Sequence, residues 1–273
     1  MLVYLCCSAT LNELSNKLNY RLMANYNQGI LGPFSGKVGP VVGSTWKGRQ
    51  VMKGRPYPKK KVTPSTLQAM IQQRFTVISR FLRPLGGYIS MGMKFAAKAA
   101  AITPRNYATK RNMENSMNLS GGVWSVVPST IEISEGNFGN VESLLLAQAA
   151  NNLNVTWTNN AGPTIGVTTG GRNVVLHDSD KVWAIAYNVE KNEVSLPSSG
   201  AGSRDDASAV IPRPSSWVAG DHVHLYVFVM AQEYDTYLNA PETMTADQIA
   251  RVKEYMEQGY VFSGTMNANI TLT

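Results

Sequence analysis

The chain has 273 residues, of which 44 % are apolar, and a net charge of +7. That length allows one large or two smaller domains, and the apolar content supports a packed core and excludes global disorder. No apolar run approaches the roughly 20 residues of a membrane-spanning helix, and two adjacent cysteines, Cys6 and Cys7, cannot supply a disulfide framework.

Residues 1–22 form a polar, weakly amphipathic lead without the basic start and cleavage site of a signal peptide. Met23-Ala24-Asn25 resembles a second possible start, so the lead is expected to be a variable extension. Residues 23–62 contain Gly29, Gly32, Gly36, Gly39, Gly43, Gly48 and Gly54 with Pro33, Pro40, Pro56 and Pro58. That density excludes regular helix. Short apolar pieces lie between the glycines, too many for a solvated linker and too few for an independent core. The expectation is an extended basic arm that docks on a neighbouring surface.

A helical segment is expected over 63–120. Thr63-Pro64 gives a start signal, and Leu67, Met70, Ile71, Phe75, Ile78, Phe81, Leu82 and Leu85 follow at helical spacing up to Gly86-Gly87. A second helix is predicted over about 91–101, and Thr103-Pro104 opens a third, up to about Asn118. From Val123 the period changes to two. Strands are predicted at 123–127, 130–134, 154–158, 181–189, 193–196, 222–230, 260–264 and 268–272. Near the end a helix over 245–258 interrupts them, with Thr245 as cap, Gln248 as capping-box partner and Gly259 as stop. Residues 121–273 therefore read as an antiparallel, immunoglobulin-like β-sandwich with an inserted helix. The fold class expected for the whole chain is α+β.

Motifs for catalysis are weak. Gly32 to Val38 fails as a phosphate loop, having three residues between its glycines where four are needed and Val38 where a hydroxyl should hold magnesium. His222-x-His224 could form half a metal site with His177 or Asp221, but the favoured reading is an exposed sheet face. No Gly-x-Ser-x-Gly elbow occurs; His177, Asp178 and Asp180 are acid–base candidates without a coherent set, and Asp205-Asp206, in a Gly/Ser/Ala-rich loop, read as solvated surface. No cofactor or metal is called for, and a non-enzymatic protein is expected.

Charge is the stronger signal. Residues 1–113 hold 18 Lys and Arg against a single acid, Glu13, a net +17, whereas 114–273 hold 7 against 17, a net −10. Ordinary surfaces mix both signs, so the basic half is expected to meet something negative. Lys47, Arg49, Lys53, Arg55, Lys59, Lys60 and Lys61 fall within 15 residues, with Trp46 and Tyr57 interleaved. Such a run suits phosphates and exposed bases, and equally an acidic protein surface with aromatic anchors. Phe34, Lys37, Trp46 and the seven cations are the candidate partner-binding residues, with protein favoured over nucleic acid.

The sequence Asn27-Gln28-Gly29-Ile30-Leu31-Gly32, followed by Phe34 to Gly39, Val41 to Ser44 and Trp46-Lys47-Gly48, resembles an uncharacterised family common in Bacteroidota and their phages. The likeness continues at Gln68, Gln72, Arg74 and Phe75, at 155–160, at 180–188 and at 219–226. It transfers no catalytic residue. Together these features lead to an expected structural or assembly protein, a component of a phage virion or phage-like particle assembled in the bacterial cytoplasm. Other protein subunits are its expected partners. The alternative is a nucleic-acid-binding protein of the bacterial cytoplasm.

Overall fold

A computed structural model describes residues 25–26, 34–46, 48–55, 63–161 and 176–273. The chain divides into two compact units, Met1–Thr63 and Pro64–Thr273. The lead at 1–22, with Cys6 and Cys7, lies outside the described residues.

In the first unit, β1 (Asn25–Tyr26), β2 (Phe34–Val38), β3 (Val41–Trp46) and β4 (Arg49–Gly54) form an antiparallel sheet in sequence order. The segment 34–54 therefore does not run out as an extended arm; it folds back on itself twice. Gly39-Pro40 turns the chain between β2 and β3, and Gly48 lies in the turn between β3 and β4, both glycines at positive φ. The glycines that exclude helix serve here as hinges of a meander. This sheet buries no described side chain, with Gly43 its one buried residue among those described.

The second unit opens with a helical layer. Helix α1 (Thr66–Phe81) is capped by Ser65, whose hydroxyl accepts from the Gln68 amide while the Gln68 side chain accepts from the Ser65 amide. The start thus lies two residues beyond Thr63, because Ser-x-x-Gln closes a reciprocal box. Ile78, Phe81, Leu82 and Leu85 are buried. Gly86-Gly87 begin α2 (Gly86–Gly92) instead of ending α1, which stops at Leu82. Then come α3 (Lys94–Ala99) and α4 (Pro104–Asn115), the latter capped by the Thr103 hydroxyl and ending three residues short of expectation.

A β5 (Met117–Ser120) and β6 (Val123–Val126) hairpin leads to two antiparallel sheets. The larger runs β10 (Glu193–Ser195), β9 (Lys181–Asn188), β13 (His222–Met230), β14 (Met266–Thr271), with β11 (Gly202–Ser203) also on β9. The smaller runs β12 (Ser208–Pro212), β8 (Asn152–Thr158), β7 (Glu142–Ala149). Mixed helix and antiparallel sheet make the molecule α+β.

Strands β9 and β13 are apolar on both faces, as strands covered from two sides must be. Trp183 and Tyr187 of β9, with Tyr226 and Phe228 of β13, meet the helices. Phe81 packs on Tyr187 at 4.5 Å between centroids, and Tyr88 on Trp183 at 6.2 Å. The other face carries Val182, Ala184, Ala186, Val223, Leu225, Val227 and Val229, all buried in one core with Leu153, Val155 and Trp157 of β8. Between β13 and β14 the chain inserts α5 (Gln232–Asn239) and α6 (Ala246–Gln258). Residues 63–120 and 121–273 are thus not separate domains, because the helices and the sheets fill the same core.

Two expected strands are not strands. At 131–134 the backbone bonds to side chains instead of a ladder: the Glu132 amide to Asn112, and those of Ile133 and Ser134 to the Thr265 hydroxyl. Residues 260–264 make single bridges, Phe262 to Met230 and Ser263 to Phe138. No helix among the described residues is long and apolar enough to cross a membrane.

Candidate interaction surface

The period of two sorts the described residues of the first unit onto two faces. Register places Lys37 opposite Val42 and Val42 opposite Lys53, so the two lysines share one cross-strand row, two strands apart. At about 4.8 Å per strand their Cα atoms lie roughly 10 Å apart. Arg49 follows on the same face of β4, four residues from Lys53, with Val51 between them, and its ladder partner is Trp46. Lys37, Arg49, Val51 and Lys53 are all exposed.

The opposite face is apolar. It carries Phe34, Val38, Val41 and Met52, the last 68 % exposed, beside a Thr45–Gln50 side-chain hydrogen bond of 2.8 Å. Phe34 lies across Gly43, where an added Cβ would fall 2.7 Å from its ring. The bare backbone of Gly43 is what lets the ring close down. One side of this small sheet is therefore cationic and the other side apolar.

Of the sequence-predicted partner residues, Lys37, Arg49 and Lys53 are brought onto one face. Phe34 stands on the other, Arg55 follows the end of β4, and Trp46 closes the β3–β4 ladder opposite Arg49. Lys47, Lys59, Lys60 and Lys61 lie outside the described residues.

The second unit holds a dense polar cluster at Asp180 and Arg204, both fully buried. The Arg204 Nε donates to the Asp180 carboxylate at 2.9 Å, and its other nitrogens donate to the Asn140 carbonyl, the Asn160 side chain and the Gly139 carbonyl. Asp180 also accepts from the amides of His177 at 3.0 Å and Gln232 at 2.9 Å. Burial raises the Asp180 pKa and lowers that of Arg204, and each opposes the other's shift by its charge. With these partners in place the pair braces several loops, and both side chains are closed off from solvent. Sequence reading missed it, because Arg204 sits in a Gly/Ser-rich loop 24 residues from its carboxylate.

The histidine pair divides. His222 is exposed and shares a 2.7 Å contact with Glu190, while His224 is half-buried and burial lowers its pKa. Burial opposes ionisation of Glu190, yet hydrogen bonds from His222 carry its pKa below the ordinary value. Among the described residues no group of three or more His, Cys, Asp or Glu is placed to hold a metal ion.

The model of a family of unknown function (DUF6266) matches residues 33–240. The chain belongs to this family. No curated protein and no solved structure matches the chain. The DUF6266 match takes in β2 to β4 of the cationic meander, the helical layer and both sheets up to α5. It ends before α6 and β14.

Proposed function

We propose that this DUF6266 protein is a non-enzymatic assembly protein, a component of a phage virion or phage-like particle, whose cationic meander docks on acidic surface of a neighbouring subunit. One observation carries the reading: Lys37, Arg49 and Lys53 share a face, in a chain whose residues 114–273 carry a net −10. Opposite charge on separate parts of one chain favours copies meeting head to tail. The apolar face, with Phe34 and Met52, would supply the burial that charge alone does not. The two sheets then serve as an immunoglobulin-like sandwich bearing a helical layer.

The test replaces Lys37, Arg49 and Lys53 together by alanine. Light scattering at low salt is expected to give a mass above 29.8 kDa for the parent chain and a smaller mass for the variant. Duplex DNA should bind little near 0.15 M salt, where the Debye length is about 8 Å. The nucleic-acid reading predicts instead a log–log salt slope that flattens by roughly 2–3 units in the variant, at close to one unit per lost phosphate contact. That result, with an unchanged mass, would replace the assembly reading.

A further inference from the structure

Helices α1 and α4 meet where the Arg74 guanidinium donates to the Met113 carbonyl. Beside that contact lies a groove of about 330 Å³, bounded by Arg74 and Phe75 of α1 and by Thr109, Lys110, Met113 and Glu114 of α4. The volume falls within the range of natural ligand sites. Phe75 is 55 % exposed, and Ile71 and Leu67 are exposed on the same ridge of α1, at i−4 and i−8. They carry the apolar surface about 12 Å further along the helix, at 1.5 Å per residue. The same helix buries Ile78 and Phe81, so the ridge is the uncovered continuation of a packed face.

Arg74 gives the groove its chemistry. Its guanidinium lies 4.5 Å from the Trp124 ring centre, and the Met113 carbonyl is its one hydrogen-bond acceptor among the described residues. The side chain is half-buried, and its Nε donates to nothing. Five N–H donors thus meet a single acceptor. Among the described residues no carboxylate forms an ion pair with it, Glu114 included. A half-buried guanidinium is ordinarily matched by a carboxylate, in the strongest class of protein hydrogen bond. The surroundings favour the same ligand: residues 63–113 hold eight cations and no acid, and Lys110 stands exposed at the groove. A visitor that suits both features is apolar on one side and anionic beside it. Lipid headgroups fit less well, because a membrane-surface helix flanks its apolar stripe with Lys and Arg, whereas α1 has Gln68, Gln72 and Gln73 there. Nucleic acid offers no aliphatic side chains to cover Leu67, Ile71 and Phe75.

We infer that the α1–α4 groove binds an acidic amphipathic helix of a protein partner. A carboxylate of that helix pairs with Arg74, and its apolar face covers Phe75, Ile71 and Leu67. Anchors spaced at i, i+4 and i+7 match the ridge they cover, as in other helix-in-groove contacts. Glu114 repels the visiting carboxylates and sets a lower limit on how closely they approach that end of the groove. The site does not depend on the cationic meander, which contributes no residue to it.

The experiment titrates the full chain into a fluorescein-labelled helical peptide of about four turns, with Leu along one face and Glu on its flanks. A second peptide has the same Leu face and Lys flanks. Fluorescence anisotropy near 0.15 M salt is expected to show binding of the Glu peptide alone. Arg74→Gln should weaken it by about tenfold or more, the usual worth of a hydrogen bond to a charged group. Because Arg74 also stacks on Trp124, two exposed positions provide the check that does not risk the fold. Phe75→Gln should weaken binding with unchanged helical circular dichroism, and Glu114→Gln should tighten it. Replacing Lys37, Arg49 and Lys53 should leave it unchanged. Failure of the Glu peptide to bind overturns the inference. So does equal binding of the two peptides, or binding that survives Phe75→Gln. Retention on phosphatidylserine vesicles or duplex DNA that is lost in Phe75→Gln, with no peptide binding, would overturn it in favour of a lipid or a nucleic acid.

Discussion

Arg204 ties several separate segments together. It has no solvent contact and holds Asp180, Asn140, Asn160 and Gly139 at once. Its own carbonyl accepts from the Trp157 indole at 3.1 Å. Removing the guanidinium leaves the Asp180 carboxylate buried, with amide donors but no counter-charge. Breaking one partner of a buried pair costs about 3–5 kcal/mol, far more than the net worth of the pair itself. Arg204→Ala should therefore lower the unfolding free energy by about that amount in denaturant titration. A loss below about 1 kcal/mol would mean that water reaches the carboxylate in the variant. The loop of Gly200, Gly202, Asp205 and Asp206 reads as solvated in sequence, and for Asp205 and Asp206 exposure agrees. Nothing local separates Arg204 from them, because what buries it are loops brought together by the sheets.

Elements with local chemistry were the legible ones. Helix α6 starts at Thr245, whose hydroxyl accepts from the Gln248 amide while the Gln248 side chain accepts from the Thr245 amide. It stops at Gly259, which takes the left-handed conformation at φ 76°. Its Val252 is buried, and the Glu233–Arg251 ion pair ties it to α5. Thr245→Ala should cost about 1 kcal/mol in thermal or denaturant unfolding, and Thr245→Ser close to nothing. An equal loss for both variants would assign the effect to packing of the methyl group instead. Strands β7 and β12 were not foreseen. Val210 and Leu145 are exposed, so the apolar pattern on these outer strands is diluted. Conversely, 130–134 has the composition of a strand, and Ile131 and Ile133 are buried as one would bury them. Its amides found Asn112 and Thr265 first, and side-chain acceptors satisfy a backbone donor as well as a ladder does.

For the molecule as a whole, the joint core of helices and sheets decides what can fold alone. Phe81, Leu82, Leu85, Ile89 and Met93 belong to the same buried cluster as Tyr187, Tyr226 and Phe228. A fragment of residues 121–273 would expose the helix-facing side of β9 and β13, including Trp183 and Tyr187. Restoring the helices adds no second core; it completes the one that exists. The fragment 64–273 should therefore unfold in one cooperative transition, whereas 121–273 should show none by near-ultraviolet circular dichroism during heating. Independent melting of 121–273 would place a domain boundary at Gly121-Gly122 after all.

Sequence by itself determined the α+β composition, the separation of basic and acidic halves, and the elements whose ends carry their own caps. These depend on residues a few positions apart, and short-range sterics and hydrogen bonding act alike in any context. Tertiary structure decided the rest. Pairing register gathered Lys37, Arg49 and Lys53 onto one face. Packing joined the helical segment to the sheets, and loop convergence buried Arg204. It also left Leu67, Ile71 and Phe75 outside, although they continue the spacing of Ile78 and Phe81 without a break. An apolar stripe states that a helix has a partner, but the reach of the sheet beneath it sets how many of its turns that partner covers.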